Sequence, residues 1–200
     1  MNEQHTFLRG RYSVRKFLPQ PVPRETLERI LETTTWSPSA HNQQPWRFVV
    51  LESGETRERL GAALGKRLEQ ALLSEGMDAE SARGRSERSR LRIAGAPLGI
   101  LLCVDAEAVP YEENLERQAR EYQMAVQSAA LAGGTLLLAA HAEGLEGVWL
   151  CAPLFQPELV RQVLDLPESW HPQGLLLMGS PDEPAQPRSR LPWQDVTIFR

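Results

Sequence analysis

With 200 residues, the chain fits a single domain, 1–200, because single cores usually split only beyond roughly 250 residues. Hydrophobic residues make up 42% and charged residues 24%, an ordinary globular balance that excludes a disordered or fibrous chain. Lys and Arg total 22 against 26 Asp and Glu, a net charge of −4, which excludes a general nucleic-acid binder and requires any anion site to be local.

The first stretch, MNEQHTFLRGRYSVRKF, has no apolar run behind its basic residues and does not read as a secretory signal, so a cytoplasmic location is expected. Pro21 and Pro23 precede RETLERILETTTW, where Leu27, Ile30, Leu31 and Thr34 recur at helical spacing, so a helix is expected to about Trp36. SPSAHNQQPW reads as a loop, and Arg47 to Leu51 as a short strand. Gly54 and Glu55 turn the chain into a second helix, weakened at Gly61 and Gly65. Asp78 is placed to cap a third helix, and Gly95 with Pro97 separates it from the apolar strand Leu98 to Val104. A long helix follows from about Glu112 to Glu143. Its Tyr122 to Ala142 stretch lacks charge, but Gln123, Gln127, Ser128, Thr135 and His141 make it too polar for a membrane span, so it reads as a buried central helix. Gly144 ends it. The strand GVWLC, the helix PELVRQVLDL and the strand GLLLMG come next, then a Pro-rich tail and a final strand, VTIF. The tail beyond Pro187 has no core of its own and either reaches over a neighbouring subunit or is a detached linker. Interleaved strands and helices give a layered α+β or α/β domain with a mixed sheet.

Familiar catalytic motifs are missing. GAALGKR (Gly61 to Arg67) is one residue short of a phosphate loop and lacks its Ser or Thr, and no GxSxG, HExxH or dinucleotide glycine fingerprint occurs. Cys103 and Cys151 have no metal-site or disulfide spacing. The triplet His141-Ala142-Glu143 is half a deaminase signature without its cysteines.

Three segments remain informative. In RGRYSVRKF, Arg11, Ser13 and Arg15 alternate, so on an extended backbone they point the same way and can grip a phosphate. Arg188 and Arg190 in PRSRLP repeat that geometry at the other end of the chain. For each pair the alternative is a solvated surface. In SPSAHNQQPWRF, Pro38 and Pro45 stiffen the backbone while Asn42, Gln43 and Gln44 offer amides suited to a flat heterocycle, or simply to an ordinary structured loop.

In order and spacing, R-x-S-V-R-x-F, S-P-S-x-x-N-x-Q-P-W and R-S-R-L-P resemble the FMN-dependent nitroreductase family over essentially the whole chain. A closer likeness is to the C-terminal FMN-binding domain of the bacterial coenzyme F-420 biosynthesis fusion protein, through LEQALLSEGMDAESARGRSERSR, AEGLEGVWLCAPLF and VRQVLDLPESWHPQG. The resemblance implies an α+β three-layer domain, a mixed central sheet flanked by helices, in an intertwined homodimer with FMN at the interface. It also implies NAD(P)H as electron donor and a small organic acceptor. Arg11, Tyr12, Ser13 and Arg15 would hold the phosphate and ribityl chain, joined by Arg188 and Arg190. Pro38, Ser39, Ala40 and Asn42 would come from the partner subunit to flank the isoalloxazine. Ala152, Pro153 and Leu154 would run beside its reactive edge.

Two departures stand out: Tyr12 replaces a common second Arg or His, and Gly133-Gly134-Thr135 replaces a frequent Gln-Asn sequence, so no flavin contact is expected from that helix. His41 is either a substrate-facing proton donor or a structural hydrogen-bonder, and no residue is assigned as catalytic. Four functions follow: a broad NAD(P)H-dependent nitro- or quinone-type reductase, a reductase for a dehydro precursor of coenzyme F-420, a flavin or deazaflavin binder without turnover, or, last and implied only by the shared superfamily pattern, a flavin-fragmenting role in cobalamin biosynthesis. Finally, Arg85, Arg88 and Arg92 share one helix face with Arg83 and Arg90 nearby, either solvated with Glu87 as counter-charge or recruiting an anionic substrate.

Overall fold

The computed structural model describes residues 2–184 and 188–200. A short helix unanticipated from the sequence, α1 (Glu3–Gly10), begins at Asn2, whose side chain accepts from the His5 N–H. Helix α2 (Arg24–Thr35) starts at Pro23 and buries Leu27, Ile30 and Thr34. Strand β1 (Trp46–Leu51) leads through Ser53, an N-cap for α3 (Gly54–Ser74), and Asp78 caps α4 (Ala79–Ala94) through the Ser81 N–H. Strand β2 (Leu98–Asp105) is followed by the 28-residue helix α5 (Leu115–Ala142). The chain ends its regular structure with β3 (Glu146–Leu150), α6 (Pro157–Leu164) and β4 (Trp170–Gly179).

The strands form one sheet in the order β1-β2-β4-β3, with β2 and β4 at its centre. Because successive strand residues face opposite sides, β2 feeds two cores. Ile100, Leu102 and Val104 join Leu176 and Met178 against α2 and α5, while Leu101 and Cys103 join Leu175 and Leu177 against α3, α4 and α6. Each fully buried Leu contributes roughly 1.5–3 kcal/mol, so the three layers are held from both faces of the central strands. Although α5 is long and apolar enough to cross a membrane, one face of it, from Ala125 to Ala140, packs on the sheet. Gly61 and Gly65 let α3 and α4 touch: a Cβ on Gly61 would lie 3.0 Å from the Arg90 carbonyl oxygen.

Two expectations are corrected. The sheet is antiparallel at every ladder rather than mixed. Strands β2 and β3 do run the same way, as the α5 crossover requires, but β4 inserts between them, so each neighbouring pair is antiparallel. The parallel pairing is an isolated bridge between Ser13 and Gly147. The final strand over VTIF does not form either. Trp193–Val196 is a 3-10 turn, and Thr197 to Arg200, although Thr197 is extended, pair with no strand among the described residues.

Candidate functional site

The two chain ends meet beside β3. The Val14 N–H donates to the Gly147 carbonyl (3.3 Å), Leu18 N–H to Ser180 (2.9 Å) and Asp182 N–H to Lys16 (3.0 Å). Residues 13–18 are thereby held extended between β3 and the segment that follows β4. Val14 is fully buried while Ser13 and Arg15 are exposed, so the alternation read from the sequence is fixed by one inward anchor. Helix α1 docks through Phe7, whose ring centroid lies 4.9 Å from that of His141. Gly10 passes so close that a Cβ there would lie 3.1 Å from His141 Nε2.

A cavity of about 900 Å3 opens between these segments, lined by Arg11, Tyr12, Ser13, Arg15, Arg188 and Arg190 together with Leu8, Arg9, Gly10, Glu183 and Pro184. Six expected site residues are thus together. The carboxylate in this lining, Glu183, accepts the backbone N–H of Arg15 at 3.4 Å, and Arg190 Nη1 donates to the carbonyls of Arg188 and Ser189. Arg11 and Arg15 have no carboxylate partner among the described residues, so their forked donors are free for an anion. A second cavity, about 470 Å3, shares Arg11, Ser13 and Arg15 and is walled by Leu8, Gly134, Leu137, Leu138, Val148 and Trp149. A cationic end and an apolar wall therefore adjoin.

The other expected residues lie elsewhere on the chain. Pro38, Ser39, Ala40 and Asn42 sit in the loop after α2, tied to α5 where the Ala40 N–H donates to Ser128 Oγ at 3.1 Å. Ser128 is six to ten residues from Gly134, Leu137 and Leu138, roughly 9 to 15 Å along the helix. Within this loop His41, Asn42 and Gln44 have φ of 50°, 55° and 51°. Such left-handed backbone costs about 1 kcal/mol or more at a residue with a Cβ, so the surrounding loop must hold it. The loop is pinned by Gln44 N–H donating to Ser39 Oγ (3.1 Å) and Gln44 Nε2 to Asn42 Oδ1 (3.2 Å). Ala152, Pro153 and Leu154 form a 3-10 turn directly after β3, with Pro153 buried and Leu154 exposed. Neither group lines the arginine cavities of its own chain.

The family model described as Nitroreductase family matches residues 8–180, a span holding the first basic segment, the strained loop and the turn after β3. The chain belongs to the nitroreductase family. It is 31% identical over 211 residues to a NADH dehydrogenase of Thermus thermophilus, covering 95% of this chain and 92% of that protein. It is also 32% identical over 187 residues to a 5,6-dimethylbenzimidazole synthase of Rhodospirillum rubrum, covering 92% and 85%. Among solved structures, a protein assigned as a nitroreductase from Desulfovibrio desulfuricans, in complex with FMN, superposes with a TM-score of 0.75 at 26% identity, covering 100% of this chain and 98% of the other.

Within this nitroreductase family member, Gly133 and Gly134 have separate structural reasons. A Cβ on Gly133 would fall 2.1 Å from Trp149 Cζ3, and one on Gly174 would fall 2.5 Å from the same indole, so Trp149 fills a slot between α5 and β4 that two glycines leave open. Gly134 faces space and lines the second cavity. The Gly-Gly-Thr departure is thus packing on one side and cavity wall on the other, a distinction that needs Trp149 in place to be seen. Also missed from the sequence were the contributions of α1 and of Glu183. The Asn2 cap followed by Glu3 was the available signal for α1.

Proposed function

We propose that this chain is an FMN-dependent oxidoreductase of nitroreductase type that takes hydride from NAD(P)H and passes the electrons to a small conjugated organic acceptor, such as a nitro compound or a quinone. It works as a cytoplasmic homodimer in which residues 1–200 form one FMN-binding domain. The observation that carries this reading is the convergence of Arg11, Arg15, Arg188 and Arg190 on one cavity.

The residues fit the cofactor. The guanidinium groups of Arg11, Arg15, Arg188 and Arg190, with Glu183 as the carboxylate in the lining, suit a phosphate dianion, and a cavity of about 900 Å3 lies in the range of cofactor sites. The apolar wall of the adjoining cavity suits a flat ring system, and since Gly134, Leu137 and Leu138 form part of it, this reading brings α5 to the flavin, contrary to the expectation drawn from the Gly-Gly-Thr departure. Bound FMN supplies the hydride-accepting and electron-donating chemistry. The chain's own contribution is positioning and charge. Val14 holds Ser13 and Arg15 outward, and the arginines neutralise the phosphate. The backbone of Ala152 to Leu154 would offer hydrogen-bonding groups to the bound flavin. The loop Pro38 to Asn42, preorganised by its own hydrogen bonds, completes the site from the partner subunit, which is why it stands away from the arginines of its own chain. No side chain is assigned as acid or base.

The purified protein is expected to be yellow, with one FMN per subunit, and stopped-flow mixing with NADH or NADPH should bleach the flavin absorbance. Failure to take up FMN would end the reading, and a flavin that neither nucleotide reduces would leave a binding protein without turnover. A narrower reading, in which the acceptor is a dehydro precursor of coenzyme F-420, is favoured by Arg85, Arg88 and Arg92 of α4, which line one recess, since the resemblance implies precursors that carry phosphate and carboxylate groups.

A further inference from the structure

The hairpin of α3 and α4 sorts its charges. Arg90 is held between Glu58 and Glu87, and Arg83 faces Glu69 at 4.0 Å. Glu87 therefore neutralises Arg90 and does not serve the row formed by Arg85, Arg88 and Arg92, which has no carboxylate partner among the described residues. Those three arginines and Ser89 line a cavity of about 370 Å3 whose remaining walls are Leu68 and Leu72 of α3. Arg92 is half-buried there. Burial lowers its pKa below the usual guanidinium value, with the like charges of Arg15 and Arg88 adding to the effect. On a chain of net charge −4, three unpaired cations around one apolar-backed recess raise the energy of the empty protein, and an anion relieves it.

We infer that Arg85, Arg88, Ser89 and Arg92 form an oxyanion subsite, separate from the cofactor's phosphate cradle, that holds a phosphate or carboxylate of a reacting partner of the enzyme. The forked guanidinium donors and the hydroxyl hold the oxyanion, and Leu68 and Leu72 hold the adjoining carbon atoms. The anionic group belongs either to the acceptor or to the nicotinamide donor. That assignment of source rests on the oxidoreductase reading, whereas binding at the subsite does not.

The test is calorimetric titration of the FMN-saturated protein with inorganic pyrophosphate in a chloride buffer at low ionic strength. The wild type should bind it without releasing FMN. Arg85→Ala with Arg88→Ala should weaken binding by at least about tenfold, because charge-assisted hydrogen bonds are lost. Arg83→Ala, which removes a charge from the same helix on the side of Glu69, should change it by no more than about twofold, the effect of a screened distant charge. Equal losses in Arg83→Ala and the double variant, or no loss in either, would identify an ordinary solvated face and overturn the subsite. Displacement of FMN by pyrophosphate would merge it with the cofactor cradle and overturn it as well. KM values of the double variant then assign the source. A rise for NADPH but not NADH points to the donor's 2′-phosphate, and a rise for a carboxylated quinone over its neutral parent points to the acceptor. No rise in either removes the subsite from the reaction. A colourless chain whose pyrophosphate binding still depends on Arg85 and Arg88 would sink the cofactor reading alone.

Discussion

Val14 has no exposed surface, and Ser13 and Arg15 flank it on the solvent side. One buried side chain thus aims the groups on either side of it, and this period of two is legible in the sequence alone. Arg188 and Arg190 have the same spacing, but their meeting with Arg11 at one cavity joins the two ends of the chain and so depends on the fold. If all four bind one phosphate, Arg188→Ala with Arg190→Ala should raise the FMN dissociation constant steeply, since each lost charge-assisted hydrogen bond is worth about 1.5–3 kcal/mol. Fluorescence titration with FMN measures this, and unchanged affinity would return both arginines to solvent. A second prediction concerns His171, whose Nδ1 lies 2.9 Å from the Tyr122 hydroxyl. Burial first, then the charge of Arg161, holds its pKa below the ordinary 6.5. The unfolded imidazole gains its proton near 6.5, while the folded one does so only at lower pH. The folded state then binds fewer protons, and stability falls as pH drops through that window. In His171→Asn the amide oxygen can still accept from Tyr122, and part of the acid-side fall in denaturation midpoint should disappear. Superimposable pH profiles would show that His171 titrates alike in both states.

At the scale of elements, some boundaries were legible from a cap or turn residue, Asp78 before α4 and Gly144, with φ of 75°, after α5, whereas the Asn2 and Asn114 caps that open α1 and α5 were not read. Helix α1 carries no buried residue and so had no apolar stripe to read. The antiparallel order was hidden because strand placement depends on β4 entering between two strands that a helix crossover connects, and no local pattern encodes that. The tail sequence VTIF is β-prone, yet propensity alone makes no ladder without an edge to join. The glycines of α5 give the sharpest test at this scale. Gly133→Ala drives a methyl group into the Trp149 ring, and overpacking of this kind costs about 1–3 kcal/mol. Its melting temperature should fall by several degrees, at roughly 2–4 °C per kcal/mol for a chain of this size. Gly134→Ala meets nothing within 4 Å and should gain up to about 1 kcal/mol of helix propensity. If both variants melt alike, Trp149 does not occupy that slot in solution.

At the scale of the molecule, the surface itself asks for a second copy. Leu191, Trp193, Val196, Ile198 and Phe199 are between 59% and 81% exposed, Trp36 is 85% exposed, and Leu131 on the outer face of α5 is 53% exposed. Monomers seldom leave apolar area of that extent in water. In the proposed dimer, the loop Pro38 to Asn42 and the arginine cavity, separated on one chain, complete one site across the subunit boundary. The sequence pointed to a tail without a core, either reaching over a neighbouring subunit or detached, and the first of these is the arrangement the proposed dimer requires. Wild-type protein should therefore sediment as a dimer of 22.5 kDa chains at all accessible concentrations. Trp193 and Phe199 meet edge to face at 6.0 Å, so Trp193→Ser with Phe199→Ser removes a connected pair of aromatic side chains and no charge. Burial of such side chains is worth roughly 1.5–3 kcal/mol each, and a two-fold interface counts each loss twice. The dimer dissociation constant should rise by at least about a hundredfold, and FMN should leave as the chains part, because each subunit then lacks its partner's loop. A wild-type monomer that keeps FMN at low concentration would refute the shared site. A dissociated double variant that keeps its flavin would show that one chain encloses the cofactor alone.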